Sequence, residues 1–158
     1  MRVKQIMTAD VRHGNRCTSV DEAVSLMKNN DIGFLPMIDD QSYELIGVVT
    51  DRDVLLRAVH GHLDIRLMPV TDVMSDTVVT VKPGDTVDRA LHLMAVHQMR
   101  RLPVVDKTMR LVGVIALADI VRSDAADPTA LALALRKIMA SSKVSCVNRS
   151  LLLKSCAA

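Results

Sequence analysis

Apolar and polar positions along this chain follow a pattern that occurs twice. Ala23, Leu26 and Met27 recur at helical spacing behind Ser19 and Glu22, whose separation is that of a capping box. A helix closing near Asn30 is predicted. Phe34-Leu35-Pro36-Met37-Ile38 is a short buried run, the polar stretch 39–44 reads as a turn, and Leu45–Val49 is a second run; together they predict a hairpin. A further helix is predicted from about Asp51 through Val54, Leu55, Ala58 and Val59. The same order returns as Val87–Gln98, Leu102–Val105, Leu111–Ile115 and Ala118–Arg122.

The two copies align residue by residue. An offset of 67 pairs Met7 with Met74, Val11 with Val78, Asp21 with Asp88, Leu26-Met27 with Leu93-Met94 and Leu35-Pro36 with Leu102-Pro103. One residue is lost in the polar turn, and an offset of 66 then pairs Gly47-Val48 with Gly113-Val114 and Asp53 with Asp119. So many matches in one register argue for duplication. The chain divides into repeat 1 over 1–62, repeat 2 over 63–126 and a tail over 127–158. Units of about 60 residues bury little core alone, so the two are expected to pack on each other.

Composition narrows the function. One Phe, one Tyr and no Trp leave little for stacking bases, and a net charge of +2 leaves no nucleic-acid footprint. The core must come from aliphatic residues and ten Met. Apolar runs fall short of a membrane span and no signal-peptide core stands at the N-terminus, so a cytoplasmic protein without membrane partners is expected. Cys17, Cys146 and Cys156 are unevenly spaced, which favours free thiols over a disulfide framework or a zinc site. His60 and His62 flank Gly61, but no carboxylate or thiol cluster completes a metal set; His92 and His97 read as surface residues. No nucleophile elbow, glycine-rich phosphate loop or paired acid and base is present, so no enzyme is expected and no cofactor is required.

The chemistry concentrates where the second strand of each copy gives way to a helix. Thr50 and Asp53 stand there in repeat 1, behind Gly47, which admits a close backbone or ligand. A helix start favours phosphate, and a carboxylate accepts from both hydroxyls of a ribose diol. Thr50-x-x-Asp53 also has capping-box spacing and reads equally as a helix start. In repeat 2 the threonine is Ala116 while Asp119 is kept. A cap alone would not need Asp119 once its partner is gone, which argues for a ligand role.

Gly47-Val48-Val49-Thr50-Asp51-Arg52-Asp53, behind Leu35-Pro36 and its strand, resembles the cystathionine β-synthase (CBS) domain, and two copies in tandem resemble the CBS pair or Bateman module. The resemblance covers roughly residues 3–122. It implies an α+β fold of two β-α-β-β-α units packed as a pseudo-two-fold pair, here with a C-terminal helical tail. It implies a regulatory module that binds AMP, ADP, ATP or S-adenosylmethionine between the repeats and reports to an effector protein, commonly as a homodimer. Carried onto this chain, Asp53 holds ribose and Thr50 contacts phosphate or ribose, with Arg52 beside them. The backbone around Ile32, Gly33 and Phe34 lines the adenine slot, where glycine leaves room for a flat ring, and Pro36 is counted among the ligand-binding residues. Arg100 and Arg101 reach phosphates across the cleft. Ala116 and Asp119 mark a doubtful second site. Two other readings stand beside this one: a ligand-free dimerisation module, and a thiol redox responder acting through Cys17 or the tail cysteines.

The tail departs from the family pattern. Leu131, Leu135 and Ile138 predict a short amphipathic helix over Thr129–Met139. The chain then turns basic and Ser-rich before Leu151-Leu152-Leu153-Lys154. Covering a module surface, exchanging onto a partner and partial disorder are all open for it.

Overall fold

The computed structural model describes residues 1–59 and 64–140. The paired histidines His60 and His62, the cysteines Cys146 and Cys156 and the tail beyond Ala140 lie outside the described residues.

Each repeat is a helix laid on a hairpin. In repeat 1, β1 (Gly14–Asn15) runs parallel to β2 (Phe34–Ile38), which pairs antiparallel with β3 (Leu45–Thr50). Between β1 and β2 lies α1 (Val20–Asn29), started by the expected capping box: Glu22 N–H donates to Ser19 Oγ at 3.2 Å and Ser19 N–H donates to Glu22 Oε2 at 2.8 Å. The helix after β3 differs from expectation. It is α-helical only over α2 (Asp51–Asp53) and continues as a π-helical turn over Val54–Val59. In repeat 2, α3 (Val87–His97) is capped by Thr86, and β4 (Arg101–Val105) pairs with β5 (Leu111–Ala116), which leads into α4 (Leu117–Arg122). The tail helix α5 (Pro128–Ile138) starts with Asp127 accepting from Ala130 N–H at 2.9 Å and with Pro at its first position.

Both hairpins carry their bulge at the same place, Met37/Ile38 and Val104/Val105. Their tips then join across the pseudo-two-fold axis, where Leu45 N–H donates to Met109 carbonyl at 2.9 Å and Leu111 N–H to Tyr43 carbonyl at 3.3 Å. Asp39 and Asp106 fold the two tips. Asp39 accepts from Gln41, Ser42 and Arg16, and these bonds, the Ser42 one foremost, hold its carboxyl down to about 2.

The cores are interlocked. Division at residue 62 describes order along the chain; in space, two straps cross between the repeats. Val3 is fully buried among Val81, Val87, Met94 and Leu102 of repeat 2, and Thr8 bridges Val114 on β5. In return Val70 and Val73 are buried among Val20, Leu35 and Val49 of repeat 1, and Ser75 bridges Val48 on β3. The glycines make room for this. A Cβ at Gly113 would lie 2.6 Å from Thr8 carbonyl oxygen, and one at Gly47 would lie 2.7 Å from Met74 Sδ and 3.0 Å from Ser75 carbonyl oxygen.

Gly113→Ala is therefore expected to lower the urea midpoint by an amount corresponding to about 1–3 kcal/mol, because backbone must move. Gly84→Ala, with nothing within 4 Å, should stay within about 0.5 kcal/mol of wild type. The turn carboxylate Asp39 should titrate near 2 by NMR. Its folded value lies below the ordinary 3.8, so its contribution to stability is complete above that value and is lost as pH falls toward about 2.

Candidate functional site

Strap and hairpins enclose an open cleft of about 440 Å³ between the repeats. One wall is the end of β3 and the start of α2, with Val48, Thr50, Asp51, Arg52 and Asp53. Gly33 and Phe34 stand beside it at the start of β2. Repeat 2 supplies Gln98, Met99, Arg100, Arg101 and Pro103, and the strap supplies Ser75 and Thr77–Val79. Thus the structure brings together Thr50, Asp53, Arg52, Gly33, Phe34, Arg100 and Arg101 of the residues expected from sequence.

Two expected residues stand elsewhere. Pro36 is buried inside β2 opposite Val48, and Ile32 lines a separate groove against α1. Their counterparts in the other copy, Pro103 and Met99, line the cleft instead. The space at Gly33 is also already used: a Cβ there would lie 2.7 Å from Asp51 Oδ2, so the missing side chain accommodates a carboxylate rather than a ring. Ser75 and Thr77–Val79 were not foreseen because nothing local in the sequence announces the strap crossing. The offset of 67 that pairs Val11 with Val78 was the available signal.

Asp53 is held to its own helix start. Its Oδ2 accepts from Thr50 N–H at 3.0 Å and from Thr50 hydroxyl at 2.6 Å, while Thr50 Oγ1 accepts from Asp53 N–H at 3.2 Å. Its Oδ1 pairs with Arg57 at 3.3 Å. An ionised carboxylate offers about four lone-pair directions, so roughly one is left for anything in the cleft. A diol, which needs two, would have to displace a present partner. Arg57 is the exposed one, and it is also engaged with Val73 carbonyl at 2.7 Å and Met74 carbonyl at 2.9 Å on the strap.

The second junction corrects the expectation that Asp119 has no capping use. Asp119 Oδ2 accepts from Ala116 N–H at 2.8 Å, and Oδ1 pairs with Arg122. Losing the threonine removes only the hydroxyl half of the box. A smaller cavity of about 180 Å³, lined by Asp10, Val11, His13, Ile38, Tyr43 and Leu111–Gly113, contains neither Ala116 nor Asp119.

The cleft is rich in uncommitted positive charge. Among the described residues Arg52, Arg100 and Arg101 belong to no ion pair, whereas Asp53 already has Arg57. Asp51 is the remaining acid on the wall. Such a surface favours an anion, and the forked guanidinium suits phosphate oxygens. Among the described residues no group of three or more His, Cys, Asp or Glu could hold a metal, and His92, His97 and Cys17 are exposed. No helix of the described residues is long and apolar enough to cross a membrane.

A duplicated helix-on-hairpin unit with crossed straps and a cleft at the strand-to-helix junction matches one known family. The model of the CBS domain fits residues 3–60 and again 70–126. The chain belongs to the CBS-domain family. It is 40% identical over 118 residues to the CBS domain-containing protein YhcV of Bacillus subtilis, a match spanning 75% of this chain and 81% of that one. It is 37% identical over 123 residues to the uncharacterized protein YlbB of the same organism, spanning 78% and 82%. Among solved structures, CBSX2 in complex with AMP is similar with a TM-score of 0.69 and 30% identity, over 78% of this chain and 95% of that one. This CBS pair is a mixed α+β module of two CBS repeats plus a tail helix.

Ala116 and Thr50 share an extended backbone, φ −108°, ψ 155° against φ −118°, ψ 161°. Ala116→Thr should therefore restore the missing hydroxyl to Asp119 N–H and stabilise the protein by about 0.5–2 kcal/mol, read as a raised urea midpoint. An unchanged midpoint would show that the amide is already satisfied.

Proposed function

We propose that this CBS pair is a regulatory module that binds a phosphorylated or otherwise adenosine-containing ligand in the inter-repeat cleft and passes its state to a partner protein, working as a homodimer. The observation that carries this reading is the open cleft with three guanidinium groups that belong to no ion pair among the described residues, around the Thr50–Asp53 helix start. Its volume of about 440 Å³ lies within the usual range for small-molecule sites, about 300–1,000 Å³. Apolar faces of Phe34, Val48, Val78 and Met99 suit a purine, the remaining acceptor of Asp53 suits a ribose hydroxyl, and Arg100 and Arg101 suit phosphate. The solved relative that carries AMP in its name supports an adenine nucleotide. Micromolar affinity requires about 8 kcal/mol. Charge-assisted bonds at about 1.5–3 kcal/mol each, together with burial of a purine face, reach that figure.

A second reading, a ligand-free scaffold, is favoured by one observation: Asp53 and Asp119 both already serve as caps. The variant that separates the two readings is Asp53→Asn. Its amide oxygen keeps the bond from Thr50 N–H, while its amide nitrogen cannot accept from a ribose hydroxyl. Calorimetry with AMP, ADP, ATP and S-adenosylmethionine should give micromolar binding of at least one nucleotide to wild type. Binding to Asp53→Asn and to Arg100→Ala/Arg101→Ala should be at least about tenfold weaker, a difference of about 1.4 kcal/mol. Neither heat nor a thermal shift with any of the four ligands would leave the scaffold.

A further inference from the structure

Repeat 1 ties its junction carboxylate to the crossing strap, and repeat 2 does not. The tie is Arg57, in the π-helical turn that follows Asp53. Its Nη1 donates to Val73 carbonyl at 2.7 Å and to Met74 carbonyl at 2.9 Å. Its Nη2 donates to Ser75 hydroxyl at 3.3 Å and pairs with Asp53 Oδ1 at 3.3 Å. The register puts Ser123 at the equivalent place in repeat 2, where its hydroxyl donates back to Ile120 carbonyl at 3.2 Å. Asp119 pairs instead with Arg122, the counterpart of Leu56, and among the described residues neither Ser123 nor Arg122 bonds the strap at 6–8. Turns of π-helix occur mostly at functional sites, and this one stands in the repeat whose strand-to-helix junction lines the cleft.

These contacts fix how much of Asp53 a ligand can use. Thr50 takes Oδ2 twice, through its N–H and its hydroxyl, and Arg57 takes one direction of Oδ1. A single direction of Oδ1 remains, which accepts one hydroxyl and not a pair. Both hydroxyls of a ribose could reach this carboxylate only if Arg57 withdrew. The strap opposes that. The guanidinium is a planar fork, so turning Nη2 away from Asp53 turns Nη1 as well and loosens its hold on the strap. Among the described residues the carbonyls of Val73 and Met74 have no backbone donor, so Arg57 is what satisfies them. Withdrawal would exchange an ion pair and strap bonds for one hydroxyl bond. Arg57 stays.

We propose that Arg57 is a positioning residue that limits Asp53 to a single ribose hydroxyl, so that the cleft accepts nucleotides with one ribose hydroxyl as well as those with two. Arg57 acts through Asp53 and does not touch the ligand. This inference rests on the nucleotide reading of the cleft and sets the ligand class more narrowly: the base and phosphates are read in full, the sugar through one oxygen.

Calorimetry with AMP, ADP and ATP, each compared with its 2′-deoxy and 3′-deoxy forms, tests it on wild type and on Arg57→Met, which keeps an apolar stem and removes the fork. In wild type one deoxy form should bind within about twofold of the ribonucleotide and the other at least about tenfold more weakly. In Arg57→Met the freed acceptor takes the second hydroxyl, so both deoxy forms should bind at least about tenfold more weakly than the ribonucleotide. A residue that only held the fold would shift all three ligands together; ratios unchanged from wild type would therefore overturn the proposal. So would a wild type that loses affinity with both deoxy forms, because Arg57 would then have withdrawn, or with neither. Should Arg57→Met fail to fold, as read from its thermal melt, the two wild-type ratios decide alone. A wild type that binds none of the three ribonucleotides would overturn the nucleotide reading and this inference with it, whereas a bound ribonucleotide with the wrong ratios overturns this inference alone.

Discussion

Because Gly47 and Gly113 carry no side chain, the backbones of Met74–Ser75 and Met7–Thr8 can lie against β3 and β5 of the opposite repeat. That close approach is the constraint on which the rest of the molecule depends. It buries Val3 in one core and Val70 and Val73 in the other, so neither repeat completes its core without a segment from the far side. Two units of about 60 residues are small for independent stability, and sharing straps turns two marginal cores into one cooperative body. The same crossing carries Ser75 and Thr77–Val79 along the end of β3, and so makes the cleft wall.

Asp53 shows how structure and binding compete for one group. As a cap it satisfies the Thr50 N–H and hydroxyl, a role that contributes on the order of 1 kcal/mol. As a ligand group it has one free acceptor direction, and a second only if Arg57 lets go. Arg57 also grips the strap carbonyls at Val73 and Met74, so a ribose that took its place on Asp53 would leave the strap anchor partly intact. Arg57 thereby links the Asp53 carboxylate at the cleft wall to the strap that joins the repeats.

Local features were legible in the sequence and crossings were not. Ser19 with Glu22 and Thr50 with Asp53 announced their helix starts, and the shift of offset from 67 to 66 marked the hairpin tips, because each signal lies within a few residues. Short apolar runs bounded by polar turns placed β2 through β5 within a residue or so. By contrast Thr8 meets Val114 and Val48 meets Ser75 across long stretches of chain, and no periodicity encodes such pairing. The site inherits this division. Thr50 and Asp53 stand out at the junction and Arg100 and Arg101 through the family resemblance, whereas Pro36 and Ile32 were assigned to the cleft in place of Pro103 and Met99. The register pairs those residues, but only the crossing decides which member of each pair faces inward. The π-helical turn at Val54–Val59 had no sequence signature either, since its apolar spacing also fits an α-helix.

Duplication starts from equivalent halves, and the differences between the halves carry the information. Repeat 1 keeps the threonine hydroxyl at its junction and places Lys28 where repeat 2 has Ala95. Repeat 2 has Ala116 at its junction and a close-fitting helix on its face. Ala95 is what lets α5 approach α3, since a lysine there would hold the helix off with a chain that must keep its charge in water. The converse holds at repeat 1, where Lys28 at the groove edge disfavours a close-packed helix. The junction hydroxyl thus stands on repeat 1 and the covering helix on repeat 2, so the two halves of one pseudo-symmetric body have diverged at different places.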